Sequence, residues 1–199
     1  MRVAASRHSR TVALTLRCAS ALASQSPSPS VVAATRCSLD AAQHILPHPE
    51  KKKTGGEDAA FCGDGVFGVF DGVGGWASRG VDAGEFSRRL ATATHDHLTA
   101  RPELTLAKAL AAGVRDIKVL GSCTACLVRI NPREGVLEAL NVGDSGWRLY
   151  RPREHDRTLK LELASTSQQH YFNVGCRALR ARCARPDSSA LHSHSIARP

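Results

Sequence analysis

Apolar residues run in two short blocks at 59–62 and 66–70, separated by Gly63-Asp64-Gly65. Phe and Val suit extended backbone and the glycines suit positive φ, so this pattern predicts a tight β-hairpin with a three-residue turn centred on Asp64. Further on, Asp82 followed three residues later by Glu85 marks a helix start, and Phe86, Leu90, Ala93 and Leu98 fall roughly on one face of a helix of about four turns. A second helical pattern follows Pro102, with Leu106, Leu110 and Val114 four apart and Gly121 beyond its end. Both helices are expected to cover one face of a sheet. From Ser122 the period changes to that of strands: 124–130, a turn at 131–135, then 136–142, a tight turn at 143–146, 147–150 and 159–163. This pattern predicts an antiparallel meander.

The flanks lack such periods. Residues 1–39 hold Arg2, Arg7, Arg10, Arg17 and Arg36 among many Ser and Ala, with no acid before Asp40. That is the composition of an organellar transit peptide, of chloroplast or mitochondrion. Ser26-Pro27-Ser28-Pro29-Ser30 reads as linker. Residues 174–199 show neither helical nor strand period and read as a disordered basic tail. The expected organisation is therefore a transit peptide and disordered linker at 1–45, a folded region at 46–173, and the tail.

Charge follows the same division. The chain of 199 residues has a formal net charge of +9, of which residues 1–56 carry +6 and 174–199 carry +4, while 57–173 sum to −1. A near-neutral core without a basic stripe argues against nucleic acid as a partner, because that binding comes from phosphate neutralisation by clustered Lys and Arg. No stretch approaches the length of continuous apolar sequence that a membrane span needs.

Seven cysteines at irregular spacing do not form a disulfide framework. Cys123 and Cys126 are spaced as C-x-x-C at the start of an expected strand, where residues three apart point to opposite faces. They read as buried, inert thiols. His95 and His97, two apart on a helix, lie on different faces and do not make a metal site.

The candidate chemistry lies in residues 56–76. With the hairpin centred on Asp64, partners sum to 128, so Cys62 faces Val66, Asp58 faces Phe70 and Glu57 faces Asp71. Carboxylates paired in this way repel unless something neutralises them. A divalent cation would do so, and hard oxygen donors suit Mg²⁺ or Mn²⁺. The glycines after Asp71 leave backbone carbonyls free to approach an ion. The other reading is that Glu57 and Asp58 are solvated residues at a strand start and Asp71 caps a turn.

The order of motifs weighs toward the metal. G-E-D-A, a strand ending in D-G-V-G-G-W, then G-S-x-T-A and N-x-G-D-S-G together resemble the type 2C (PPM) metal-dependent serine/threonine protein phosphatases, and most of all their organellar branch. The lead-in Leu46-Pro47-His48-Pro49-Glu50 and residues 168–173 share that likeness, which spans about 46–173. It implies an α+β fold, an antiparallel β-sandwich flanked by helices, of which only the N-terminal half is present. It also implies a monomer acting on phosphoserine or phosphothreonine in a phosphoprotein by means of a metal-activated water. In this resemblance Glu57 binds one of two ions, Asp71 bridges both, the Gly72 carbonyl completes a shell, and Asp58 either sits behind these ligands or binds through water. Asp144 lies beside the centre and can take part in binding a third ion. The position of the family's phosphate-holding arginine is Lys53, a point charge rather than a bidentate fork. The family's later D-G motif and near-terminal aspartate have no counterpart here. A truncated, catalytically impaired pseudophosphatase acting as a binding module, or a non-functional gene product, is therefore the alternative. A phosphatase with an aspartyl nucleophile of the D-x-D kind is disfavoured by Val69.

Overall fold

The computed structural model describes residues 2–5, 11–18, 37–131, 134–153, 155–156, 158–171, 174–175, 178–179 and 192–196. The strands in chain order are β1 (Arg2–Ala5), β2 (Thr11–Cys18), β3 (Cys37–His44), β4 (Asp58–Gly63), β5 (Val66–Asp71), β6 (Ser122–Cys123) and β7 (Ala125–Asn131). They continue with β8 (Val136–Val142), β9 (Trp147–Pro152), β10 (Leu159–Ala164), β11 (Gln169–Tyr171), β12 (Val174–Gly175), β13 (Ala178–Leu179) and β14 (His192–Ile196). Helices α1 (Ala83–Ala100) and α2 (Leu106–Asp116) separate β5 from β6. Two five-stranded sheets run in the orders β14-β8-β7-β5-β4 and β10-β9-β1-β2-β3.

The helices form where the apolar period places them. Asp82 caps α1 by accepting from the Gly84 backbone N–H at 2.8 Å, while Glu85 pairs with Arg89 one turn on rather than reaching back to the cap. Thr105 caps α2 through the Lys108 N–H. Phe86, Leu90 and Leu98 of α1 and Leu106, Ala109 and Leu110 of α2 pack with Phe70, Leu127, Leu140 and Val142 on one face of the first sheet. Both helices thus cover one sheet face, as expected.

The opposite face makes the second core. Phe67, Cys126, Val128, Ile130, Leu137 and Ala139 meet Trp147 and Leu149 of β9, with Leu39 of β3 against them. Alternation along the strands explains the division, since neighbours in sequence project to opposite sides. A sandwich of two sheets with helices outside one of them is the result, an α+β fold.

The structure corrects two expectations. The β4–β5 hairpin pairs Asp58 with Asp71, Ala59 with Phe70, Cys62 with Phe67 and Gly63 with Val66, so partners sum to 129. The loop holds only Asp64 and Gly65, at φ +50° and +74°. Two consecutive positive φ values are the signature of a type I′ turn, whose twist matches that of the flanking strands and which Asp-Gly favours over a wider loop. The meander is also broken. β7 and β8 pair throughout, but β9 leaves for the second sheet and pairs with β10, because Trp147 and Leu149 are buried only by crossing to face β7 and β8.

In the expected leader and tail the described backbone is extended: β1 pairs with β2 and β9, β2 with β3, and β14 with β8. The rest of both segments, including the linker at 26–30, lies outside the described residues, as do Pro132 and Arg133 of the expected turn and Phe172 and Asn173.

Candidate metal centre

The hairpin register puts Asp58 and Asp71 directly opposite each other at the open end of β4 and β5. By alternation they share the face of Phe67 and Val69, the side turned toward the second sheet. Asp58 is 5% exposed, so this carboxylate sits almost wholly within protein. The like-charge pairing expected for Glu57 therefore falls on Asp58 instead.

Glu57, one residue before β4, is fixed by its backbone. Its carbonyl accepts from the Ser87 hydroxyl at 2.5 Å and from the Gly72 N–H at 3.0 Å. A side chain at Gly72 would collide with that carbonyl and lie 2.9 Å from Ala83 O, so this glycine lets the loop close onto the hairpin. The Glu57 carboxylate is bound by Lys51 Nζ at 2.6 Å. Lys53, the position expected to meet phosphate, is exposed on the 3₁₀ turn Pro49–Thr54. Lys51 is the residue that sequence reasoning passed over; only its distance from Glu57 in the fold singles it out.

The separated motifs converge on Asp71. Its N–H donates to Thr124 Oγ1 at 3.2 Å and its carbonyl accepts from the Thr124 N–H at 2.9 Å. Thr124 Oγ1 in turn shares a hydrogen bond of 2.6 Å with Ser145 Oγ, next to Asp144. Val73 N–H donates to Ser122 O, and Trp76 Nε1 donates to Ser122 Oγ at 2.8 Å. Three motifs far apart in the chain thus form one hydrogen-bonded end of the sandwich.

The loop carrying Asp144 is braced from the other side. Gln168 uses both ends of its local backbone and side chain: its Oε1 accepts from Gly143 N–H at 3.1 Å and its N–H donates to Gly143 O at 2.9 Å. Asn141, 4% exposed, donates through Nδ2 to Gly143 O and Thr166 O. Residue 168, whose chemistry the sequence leaves unassigned, is a support for the Asp144 loop.

The cysteines lie as predicted. Cys123 and Cys126 belong to the two different cores. Burial pushes the Cys126 thiol up to about 12, and burial together with the charge of Asp71 pushes Cys123 up strongly. The histidines also part: His95 packs on the Phe61 ring, while His97 Nε2 meets Asp116 at 2.6 Å and its Nδ1 meets Arg101 at 2.7 Å.

The candidate donors are carboxylates and a backbone carbonyl, a set that suits a hard divalent cation. Two carboxylates in direct opposition, one of them nearly buried, favour a cation between or beside them. Among the described residues no three His, Cys, Asp or Glu side chains converge closely enough to hold an ion, and Glu57 is turned onto Lys51. A hollow of about 660 Å³ opens beside β4 and α1, but of the candidate residues only Asp58 lines it. The donors fit a hard cation in kind, and the register sets Asp58 opposite Asp71.

No family model matches the sequence. Curated relatives do. Probable protein phosphatase 2C 55 of Arabidopsis thaliana is 41% identical over 132 residues, covering 64% of this chain and 27% of that protein. Probable protein phosphatase 2C 1 of Oryza sativa subsp. japonica is 36% identical over 154 residues, 73% of this chain and 43% of that protein. Protein phosphatase PTC7 homolog fig of Drosophila pseudoobscura pseudoobscura is 38% identical over 131 residues, 60% and 36% respectively. The chain therefore spans less than half the length of these relatives. Among solved structures, the photosystem II phosphatase PBCP superposes with a TM-score of 0.68 at 28% identity, covering 78% of this chain and 60% of that one.

Proposed function

We propose, on the premise that the chain belongs with the PPM-type, protein phosphatase 2C-like phosphatases, that it serves hydrolysis of phosphoserine or phosphothreonine in a phosphoprotein. The observation that carries this reading is the direct opposition of Asp58 and Asp71 within a hydrogen-bonded end of the sandwich. Mg²⁺ or Mn²⁺ held there by Asp71 and Asp58, with the Gly72 carbonyl, Glu57 and Asp144, would neutralise phosphoryl charge and activate a water for in-line attack. The chain's own contribution is placement. Thr124 fixes the Asp71 backbone, Ser87 and Gly72 fix that of Glu57, and Gln168 holds the loop of Asp144. Lys51 and Lys53 supply positive charge at the rim, where an anionic substrate approaches.

The test is Mn²⁺- or Mg²⁺-dependent release of phosphate from a phosphothreonine peptide by the full chain, beside Asp71→Asn. Metal-dependent turnover lost in the variant is the expected result. Soluble, folded protein without turnover in either would favour a second reading, a non-catalytic relative that binds phosphoprotein. What supports that second reading is the ion pair that engages Glu57.

We further propose an organellar address, carried by the Arg-, Ser- and Ala-rich residues 1–45. The likeness to a protein titled a photosystem II phosphatase supports the plastid over the mitochondrion. Fusing residues 1–45 to a fluorescent reporter and imaging it in plant cells tests this. No helix among the described residues is long and apolar enough to cross a membrane, and the enzyme is proposed to act as a monomer.

A further inference from the structure

We propose that Lys51 is a built-in counter-cation for Glu57, a latch that holds this carboxylate over Gly74 and that a divalent ion must displace to recruit it. The inference rests on the metal-dependent reading above and gives Lys51 a role toward Glu57 beyond the positive charge it lends the rim.

Three observations support it. First, Lys51 is delivered rather than merely nearby. Its carbonyl accepts from the Gly56 N–H at 3.1 Å and from Thr54 Oγ1 at 3.0 Å, and Gly55 closes the turn in a left-handed conformation. The backbone of the lysine is thereby tied to the residues that lead directly into Glu57. Second, the carboxylate end is also fixed: the Glu57 carbonyl holds two donors, and its side chain is 17% exposed. Third, the surroundings leave space for the pair. A side-chain carbon added at Gly74 would lie 3.0 Å from both Glu57 carboxylate oxygens and 3.2 Å from Lys51 Nζ. The second glycine of D-G-V-G-G-W thus makes room for this ion pair.

The lysine side chain is 43% exposed, so water screens the pair. That same exposure gives the ammonium a path into solvent when a stronger cation arrives. Its long flexible stem and compact charge suit exchange better than an arginine fork would. Lys51 is a positioning residue in this scheme: it governs where the Glu57 carboxylate rests, and hence how tightly the centre takes metal.

The experiment is Mn²⁺ binding to the full chain, followed by calorimetry and by the loss of the free-ion electron paramagnetic resonance signal. Lys51→Met is expected to tighten Mn²⁺ binding by about tenfold, within the coupling seen for contacting charged pairs. Lys51→Arg keeps the charge and is expected to retain the weaker affinity. Lys53→Met removes an equal charge from the same turn without touching Glu57, and is expected to change little. Glu57→Gln added to Lys51→Met is expected to cancel the gain. Circular dichroism of each variant checks that the fold is kept. Equal affinities for Lys51→Met and Lys53→Met, or weaker binding in Lys51→Met, would overturn the latch while leaving the metal centre standing. No Mn²⁺ binding by any folded variant would overturn the centre and the latch together.

Discussion

Asp58 and Asp71 are direct cross-strand partners, closing the hairpin of β4 and β5 with two carboxylates where a one-residue shift would have set Asp58 against Phe70. The pairing places like charges at a position that is 5% exposed on one side. Such an arrangement is expected to cost stability in the metal-free chain and to recover it on binding of a cation. Asp71→Asn is therefore expected to stabilise the chain in EDTA, by about 0.2–1 kcal/mol, and to lack the rise in melting temperature that Mn²⁺ is expected to give the wild type. Differential scanning fluorimetry in EDTA and in Mn²⁺ reads both effects. A destabilised variant in EDTA would mean that the protein already neutralises the pair by other means.

The Asp64-Gly65 turn decides that register. Gly65 has φ +74°, and a side-chain carbon there would sit 2.9 Å from Ile130 O, while the Ile130 N–H donates to Gly65 O at 2.8 Å. Gly65→Ala is expected to cost about 1–3 kcal/mol through strain and crowding. Asp64→Gly, which accepts positive φ freely, is expected to change stability by less than about 1 kcal/mol. Urea titrations of the two variants separate these outcomes.

Gln168 binds Gly143 through both its side chain and its backbone. Gln168→Ala removes only the first of these bonds, at a cost of about 1 kcal/mol. Its larger effect is expected locally. Amide exchange at residues 143–146 should quicken while that at β7 remains slow, as read by hydrogen–deuterium exchange. Uniform quickening across both would show that Gln168 supports the whole sandwich rather than the Asp144 loop.

The cysteines give a pH signature. Burial raises the thiol of Cys126 from 9.0 to about 12, and raises that of Cys123 strongly. The fold thus favours the protonated thiol. Their contribution to stability is full below about pH 9, where unfolded thiols are also protonated, and is lost as pH rises toward 12. Denaturant midpoints should accordingly fall over that range. At pH 8, a thiol-specific reagent is expected to modify half-buried Cys62 in the native protein and to reach Cys123 and Cys126 only after unfolding.

Much of this was legible locally. The Asp82 cap and the four-residue spacing of Phe86 and Leu90 gave α1, and Leu106 and Leu110 gave α2, because helix periodicity is written within one turn of chain. The apolar blocks flanking residue 64 gave the hairpin, and C-x-x-C spacing separated Cys123 from Cys126 onto two faces. The acidic residues and glycines of 56–76 marked the candidate metal site.

What the sequence by itself determined, then, was the helices and strands between residues 58 and 163, which of their faces are apolar and where the acidic residues cluster, since each depends on neighbours a few residues apart. The tertiary structure alone decided that Asp58 rather than Glu57 opposes Asp71, because alternation is unchanged in kind by a one-residue slip and the turn geometry selects between registers. It also decided that β9 crosses to the second sheet, that Gln168 supports Gly143, and that Lys51 holds Glu57. These are contacts made by packing, and no local pattern of polar and apolar residues encodes which distant or differently facing groups packing brings within hydrogen-bond reach.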